Sequence, residues 1–191
     1  MLVSSTHPRW FAVATANLGG LLADHLHCER KAAENALSLV RRYGTDDVTA
    51  MALGRLAHEE TSHVIQVAEL LAERGLPHRA DYANPYPRGL FALVRNTEPE
   101  RRIDSMLVAA LIEERSHERL RLLERGFAAA GEARLSGFYR ALANAEDRHA
   151  QIFVELAERA GPRDVVATRL AELATQEAAI IAAIPFGPRV H

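Results

Sequence analysis

The chain has 191 residues, enough for one domain with a substantial core, and 48% of them are hydrophobic although only 6% are aromatic. The formal net charge of −2 gives no overall basic signal for nucleic acid, and the single cysteine, Cys28, excludes an internal disulfide. Alanine, leucine, glutamate and arginine are abundant and favour helices, so we expect an all-α protein. Neither a signal peptide nor an apolar run long enough to span a bilayer is found, so we expect a cytoplasmic protein with no membrane association.

The first half of the chain predicts two long helices after a short one. The short segment covers roughly 8–16, and a long helix follows over about 18–42, ended by the sequence YGTDD. Either Thr45 or Asp46 can cap the next helix, which runs to about Arg74, where a glycine and a proline stop it.

Residues 75–98 do not read as one regular element. The sequence GLPHRADYANPYPRGLFALVRNTE contains three prolines and two glycines, which interrupt both helices and strands. We expect a long crossover that carries one short helix near 88–95.

Three further helices are predicted after the crossover. One begins at Pro99 and ends before Gly131, the next covers about 132–160, and an amphipathic helix follows over 163–183. Four long helices with a long crossover between the second and third describe a ferritin-like four-helix bundle, here with an extra C-terminal helix. No separate domain is visible, so we expect a single domain over 1–191.

The stretch LAHEETSHVI places two adjacent glutamates and a histidine in an otherwise apolar helical segment. Glu59 shares its face with polar residues, so we expect it to point outward. Glu60 points inward with His63, three residues later, and a buried carboxylate needs compensation. The other residues on the face of Glu60 are all apolar: Leu53, Leu56, Ala57, Val64 and Val67.

The same inward pattern recurs in the other long helices. Glu146 and His149 repeat the Glu-x-x-His spacing in the fourth helix, while Glu29 and Glu113 are lone inward glutamates in the first and third. The chain order is therefore Glu, Glu-x-x-His, Glu, Glu-x-x-His, which suggests a duplicated helix pair. This is the ligand pattern of a two-metal, carboxylate-bridged site in a ferritin-like bundle. The predicted metal ligands are Glu29, Glu60, His63, Glu113, Glu146 and His149.

The residue types of the six predicted ligands suit a site for two metal ions. Four carboxylates offset most of the charge of two divalent ions, and two imidazoles supply one nitrogen to each metal, which leaves positions open for a small molecule. An oxygen-rich set of this kind favours iron first and manganese second. No catalytic residue beyond the ligands is predicted.

Some histidines and glutamates near the ligands have two interpretations. Glu114 and His117 form a third Glu-x-x-His, but Glu114 is in phase with charged residues, so we interpret it as a surface residue. His25, one turn before Glu29, and His117, one turn after Glu113, are either hydrogen-bond partners of the ligands or partly exposed helix histidines.

Four stretches carry a resemblance to a known family. They are LLADHLHCERKAAENALSLV, LAHEETSHVIQVAELLAERGLPH, VRNTEPERRIDSMLVAALIEERSHERL and FYRALANAEDRHAQIFVELA, and they cover most of residues 21–160. In them the chain resembles the tRNA 2-methylthio-N6-isopentenyladenosine hydroxylases, called MiaE. The resemblance implies the same six ligands, holding two iron ions.

The resemblance also implies an activity and partners. The expected reaction is O2-dependent hydroxylation of the isopentenyl side chain of (2-methylthio-)N6-isopentenyladenosine, next to the anticodon at position 37 of tRNA. The enzyme would be a di-iron monooxygenase that binds the anticodon stem-loop and receives electrons from a separate reductase; its oligomeric state, monomer or dimer, stays open. The alternatives are a ferritin-like iron-storage or peroxide-handling protein and a non-catalytic helical scaffold.

The formal net charge of −2 argues against binding to tRNA, but the distribution of the charges weakens that argument. Without the four ligand carboxylates, 21 acidic side chains remain against 23 lysines and arginines. The arginines cluster in a way that could hold phosphates, although each of them could instead pair with a neighbouring glutamate. The candidate patch contains Arg88, Arg95, Arg101, Arg102, Arg115, Arg119, Arg121, Arg125, Arg134 and Arg140.

Overall fold

The computed structural model describes residues 1–191 as seven helices and no strands, which confirms the all-α prediction. No helix combines the length and the apolar character that crossing a membrane requires. The helices are α1 (Trp10–Thr15), α2 (Leu18–Tyr43), α3 (Asp47–Glu73), α4 (Pro85–Phe91), α5 (Glu100–Ala129), α6 (Ala133–Glu158) and α7 (Arg163–Ala183).

The helices fall into two compact units. The N unit contains residues 12–83 and 186–190, and the C unit contains residues 1–11, 84–185 and 191. The N unit is built on the α2–α3 pair, and the C unit on the α5–α6 pair with α4 and α7 beside it. Each long pair is joined by a short loop, as the sequence predicts.

In the N unit, α3 begins at an aspartate cap. The Asp46 carboxylate accepts hydrogen bonds from the Thr49 backbone N–H at 3.0 Å and from its hydroxyl at 2.8 Å, so Asp46 and not Thr45 is the cap. Below the cap, α2 and α3 bury apolar residues at helical spacing, which is how the hairpin forms its core. The buried residues include Leu21, Leu22, Ala36, Leu39, Leu53, Leu56, Val67 and Leu70.

The chain that leaves α3 is fastened to α2. The Asp81 carboxylate accepts hydrogen bonds from Arg30 at 2.7 Å and from Lys31 at 2.6 Å. The His27 Nε2 lies 2.8 Å from the Arg79 carbonyl oxygen. These contacts hold the start of the crossover without regular secondary structure.

The short crossover helix lies earlier than predicted. It was expected near 88–95, but α4 begins at Pro85 and ends at Phe91. The Asn84 side chain accepts a hydrogen bond from the Tyr86 backbone N–H at 3.0 Å, and prolines fit the first turn because their missing N–H groups need no partner there. The cap and the prolines therefore outweigh the apolar run that suggested the later position.

The predicted helix ends occur at the two glycines with a left-handed backbone. Gly75, after α3, has φ +62°, and Gly131, after α5, has φ +77°, a region that side chains with a Cβ rarely adopt. At the other end of α5, Pro99 occupies the cap position and Glu100 is the first helical residue, one position later than predicted.

A fully buried ion pair lies at the centre of the C unit. The Arg115 guanidinium donates to both carboxylate oxygens of Glu177, with Nε–Oε1 and Nη2–Oε2 distances of 2.9 Å, and both side chains are 0% exposed. The Tyr86 hydroxyl donates to the same carboxylate at 2.9 Å, and Arg115 Nη2 also donates to the Ser4 carbonyl oxygen at 3.0 Å. One carboxylate therefore joins α4, α5 and α7, and its guanidinium partner also binds the N-terminal segment.

A second acidic anchor lies where α5 begins. The buried Asp104 carboxylate accepts hydrogen bonds from Arg95 Nε at 2.9 Å and from Arg169 Nε at 3.0 Å. Burial raises the pKa of Asp104, but the hydrogen bonds from the two arginines outweigh it and hold the pKa below the usual 3.8. Asp104 thereby fixes the residues before α5 and the side of α7 to the first turn of α5.

Three arginines of the candidate tRNA patch are engaged in the fold. Arg115 pairs with Glu177, Arg95 pairs with Asp104, and Arg119 is buried with its guanidinium carbon 5.0 Å from the Trp10 ring centroid. The assignment of Arg115 and Arg119 to a solvent-facing patch is wrong, because helical phase places both against the N-terminal segment. Arg95 keeps part of its surface exposed, but its hydrogen bonds are spent on Asp104.

Replacing Glu177 with alanine should lower the free energy of unfolding by about 3–5 kcal/mol, because it removes the fully buried, two-pronged partner of the Arg115 cation and leaves only the partly exposed Glu118 beside it. Urea denaturation measures the change. The control is Glu172→Ala on the same helix, since Glu172 is exposed and pairs with Arg169 only at the surface, a contact worth about 0.2–1 kcal/mol. Similar losses in the two variants would contradict the central role of the buried pair.

Candidate metal centre

The N unit brings two glutamates and a histidine together. Glu29 comes from the middle of α2, and Glu60 and His63 come from the middle of α3. One donor atom of each lies within 4.8 Å of the others. The His63 Nδ1 is 3.3 Å from Glu29 Oε2 and 3.4 Å from Glu60 Oε2. All three side chains are buried, with Glu60 at 0% exposure, as helical phase predicts.

The C unit repeats this arrangement. Glu113 comes from α5, and Glu146 and His149 come from α6. Their donor atoms again lie within 4.8 Å of one another, and the His149 Nδ1 is 3.6 Å from Glu146 Oε2. All three side chains are buried. We call the first set the N triad and the second set the C triad.

The donor spacing in both triads suits a shared metal ion. Nitrogen and carboxylate donors sit about 2.0–2.2 Å from a transition metal, which separates neighbouring donors by roughly 3.0–3.5 Å. The Nδ1 to carboxylate distances of 3.3, 3.4 and 3.6 Å fall near this range, and the 3.3 Å contact of His63 with Glu29 is also a hydrogen bond. The buried clusters that could hold a metal consist of the six predicted residues and no others. Buried glutamate and histidine clusters of this kind fit iron binding.

His25 contacts the N triad through the Glu29 carboxylate. Its Nε2 lies 2.6 Å from Glu29 Oε1, and only 1% of the residue is exposed. Burial raises the pKa of Glu29, but its contacts with His25, followed by that with His63, outweigh burial and hold the pKa well below 4.5. The interpretation of His25 as a partner of a ligand is therefore the one that the geometry supports, and the signal was its spacing of one helical turn before Glu29.

The other residues near the triads have separate roles. His117 is half-buried, and its Nδ1 lies 2.8 Å from the Ala143 carbonyl oxygen, so it is not a member of the C triad. Tyr139 is fully buried and stacks on Phe127 with ring centroids 5.6 Å apart, which makes it a core residue. Glu114 is half-buried rather than fully on the surface as predicted.

The thiol of Cys28 points to a neighbouring carboxylate instead of a triad. Its Sγ lies 3.7 Å from Asp24 Oδ2, one turn earlier on α2. Burial and the adjacent negative charges of Asp24 and Glu29 raise the pKa of this thiol well above 9.0. Cys28 therefore stays protonated and offers no thiolate ligand.

The family model and the relatives that match this sequence are all described as tRNA hydroxylases. The sequence model of the family described as tRNA-(MS[2]IO[6]A)-hydroxylase (MiaE) matches residues 1–191. A Pseudomonas putida protein named tRNA 2-(methylsulfanyl)-N(6)-isopentenyladenosine(37) hydroxylase is 40% identical over 156 residues, covering 82% of this chain and 74% of the relative. A Salmonella typhimurium protein of the same name is 32% identical over 198 residues, covering 79% of this chain and 72% of the relative.

A solved structure gives the same fold. The structure described as protein 43 with aldehyde deformylating oxygenase activity, from Synechococcus, matches with a TM-score of 0.92 and 36% identity. The match covers 100% of this chain and 94% of the other. With the seven helices and the absence of strands, this similarity confirms the prediction of a ferritin-like fold.

Replacing His25 with alanine should weaken metal binding by about 10- to 100-fold, because Glu29 loses the 2.6 Å contact with His25 Nε2 that orients its carboxylate. Titration of the metal-free protein with ferrous iron under anaerobic conditions measures the affinity. The matched control is His27→Ala, two residues away, since His27 contacts only the Arg79 carbonyl of the crossover. Equal affinities in the two variants would show that His25 does not position Glu29.

Proposed function

The chain belongs to the MiaE family, and from that membership we propose that it is an O2-dependent monooxygenase that modifies tRNA. The proposed reaction is hydroxylation of the isopentenyl side chain of (2-methylthio-)N6-isopentenyladenosine at position 37. The observation that carries the proposal is the pair of matched triads, each with two buried carboxylates and one buried imidazole, in a chain whose relatives are named as hydroxylases.

We propose that the two triads act together as one carboxylate-bridged centre for two iron ions, so that residues 1–191 work as a single domain. The matched chemistry supports this, because each triad supplies one nitrogen and two carboxylates, and four carboxylates offset the charge of two ferrous ions. A buried triad alone carries two negative charges on glutamates, which is costly without a cation. The ligands would be Glu29, Glu60, His63, Glu113, Glu146 and His149.

The bound irons would supply the activation of O2 that hydroxylation of a carbon–hydrogen bond requires. The protein's part is to hold the ligands and exclude water. His25 fixes one carboxylate oxygen of Glu29 and leaves the other facing His63. Buried apolar side chains on the same helix faces, such as Leu56 and Phe153, keep bulk water from the ligands.

The proposed partners follow from the reaction. The substrate is the anticodon stem-loop of tRNA, and the arginines of the predicted patch that stay exposed are Arg88, Arg125, Arg134 and Arg140. A separate reductase would supply the electrons, because we assign no flavin, haem or iron–sulfur cluster to this chain. A cytoplasmic location fits a tRNA substrate, and the protein would act as a monomer or a dimer.

Aldehyde deformylation is a second candidate, because the Synechococcus structure that matches the whole chain is described with that activity. In this case the substrate would be an aldehyde instead of tRNA. The two relatives that are 40% and 32% identical to this chain are named as tRNA hydroxylases, which favours the hydroxylase reaction. Incubation of the iron-loaded, reduced protein with an aliphatic aldehyde and O2 separates the two, since only a deformylating enzyme releases formate and a hydrocarbon.

The purified protein should bind about two irons per chain after anaerobic ferrous loading, as the four-carboxylate ligand set of ferritin-like proteins does. Glu60→Ala and Glu146→Ala should each lose stoichiometric iron, because each removes a buried carboxylate of a triad. Glu59→Ala, next to the ligand Glu60 on α3, and Glu114→Ala, next to the ligand Glu113 on α5, are the controls and should keep it. Inductively coupled plasma spectrometry gives the count, and iron near zero in the wild type would refute the centre.

With reductant, 18-O-labelled dioxygen and tRNA from cells that lack this hydroxylase, the new hydroxyl should carry the label, because a monooxygenase inserts an atom of O2. Mass spectrometry of the digested nucleosides measures the label. A Glu113→Ala protein should give no product while its helical circular dichroism is unchanged. Label from water, or no product from fully iron-loaded wild-type protein, would defeat the hydroxylase assignment and leave the metal centre intact.

A further inference from the structure

A cleft of about 380 Å³ opens in the C unit between the N-terminal segment and α5. Its volume lies within the range of about 300–1,000 Å³ that small-molecule sites occupy, large enough for a substituted purine. On one side it is lined by residues 1–5. The other side is formed by polar and charged side chains of α5: Glu114, His117, Glu118, Arg121 and Arg125.

The N-terminal segment that forms one wall of the cleft is held by two charged residues of α5, the partly exposed Glu118 and the buried Arg115. The Glu118 carboxylate accepts hydrogen bonds from the Thr6 backbone N–H at 2.7 Å and from its hydroxyl at 2.6 Å. Arg115 donates to the Ser4 carbonyl oxygen at 3.0 Å while it is paired with Glu177. These contacts hold the N-terminal segment against α5 and so maintain the cleft between them.

His117 lines this cleft, and one of its ring nitrogens is able to accept a hydrogen bond. Its Nδ1 lies 2.8 Å from the Ala143 carbonyl oxygen, and since a carbonyl only accepts, Nδ1 carries the hydrogen. In the neutral ring Nε2 then has a lone pair and no hydrogen. His117 also stands one turn after Glu113 on α5, about 6 Å along the helix axis from a proposed metal ligand.

Arg125 is the cation of the cleft that has no partner in the protein. It is exposed and makes no ion pair or side-chain hydrogen bond. Arg121, one turn earlier, is already engaged by Glu124 at 2.8 Å and by Asn144. A free guanidinium beside a cleft of this size suits the phosphate that flanks a bound nucleotide.

We propose that this cleft receives the N6-substituted adenine of the tRNA substrate, with His117 Nε2 accepting the hydrogen bond of the N6–H group and Arg125 binding a neighbouring phosphate. The inference rests on the proposed function, because it assigns a place to that substrate. An unpaired nucleotide of the anticodon loop can leave the stack and enter such a site at a cost of a few kcal/mol. The N6–H group is the donor that a neutral imidazole acceptor matches, and the isopentenyl group extends from the same nitrogen.

The test compares two stem-loop RNAs that differ only in the N6–H group: one carries N6-isopentenyladenosine, and the other carries its N6-methylated counterpart. Binding to iron-loaded protein is measured without O2, so that no turnover occurs. The wild type should prefer the N6–H stem-loop by about 10-fold, the effect of one lost hydrogen bond. His117→Leu should bind both equally, and His117→Gln, which keeps an acceptor, should restore most of the preference.

Iron content and helical circular dichroism should be unchanged in both His117 variants. A preference that survives in His117→Leu, or that is absent from the wild type, would overturn the assignment, because the discrimination would then arise elsewhere or not at all. This outcome is separate from failure of the proposed reaction: lack of hydroxylated product, with a preference that His117→Leu abolishes, would refute the reaction and keep the cleft.

Arg125 provides an independent measurement that does not depend on the folding of His117 variants. Arg125→Ala should weaken stem-loop binding several-fold and leave the affinity for the free nucleoside N6-isopentenyladenosine unchanged, since the nucleoside has no phosphate. Arg163→Ala is the control, because Arg163 is exposed at the start of α7 and does not line the cleft. Unchanged stem-loop binding in Arg125→Ala, or an equal loss in Arg163→Ala, would contradict the phosphate contact.

Discussion

The constraint on which this structure depends is the cost of placing carboxylates inside helix pairs. An isolated buried carboxylate is unfavourable by several kcal/mol, so each needs a positive or hydrogen-bonding partner. The protein meets this need in two ways. Glu177 and Asp104 receive arginines, which makes them anchors of the fold. The glutamates of the two triads face histidines and one another instead, an arrangement that a metal cation completes.

The two triads share a pattern but not their surroundings. One turn before Glu29, His25 contacts its carboxylate at 2.6 Å, whereas the position one turn before Glu113 is the buried Ala109. A histidine occurs one turn after Glu113, but it contacts a backbone carbonyl and lines a cleft. In the two proposals, therefore, the histidines have different roles: His25 would orient a ligand, and His117 would contact the substrate.

Sequence periodicity predicted most of the fold because long amphipathic helices give a strong signal. The helix ends at Gly75 and Gly131 and the cap at Asp46 follow from local rules, as does the burial of all six candidate ligands. The crossover helix was misplaced by three residues, because the apolar run GLFALV competed with the cap at Asn84.

Charged residues were harder to interpret than apolar ones. Arg115 and Arg119 resemble solvent-facing helix residues in the sequence, and nothing local reveals the partners that bury them. Glu177 lies 62 residues after Arg115, and Trp10 lies near the start of the chain. The same holds for His117, whose spacing from Glu113 suggested a role near the metals but could not reveal the Ala143 carbonyl. Pairing across distant segments is set by tertiary structure, which periodicity does not encode.

The buried pair of Arg115 and Glu177 has a consequence for the order in which the chain can fold during synthesis. Its contacts join segments separated by 62, 91 and 111 residues. While α7 is still in the ribosome, Arg115 has only Glu118 of its own helix as a carboxylate partner, and burying the guanidinium completely without Glu177 is unfavourable. The α2–α3 pair is held by contacts between two helices adjacent in sequence and can form first, whereas the C unit is completed only after α7 emerges. Translation of α7 thus supplies the carboxylate that completes the docking of the N-terminal segment on α5.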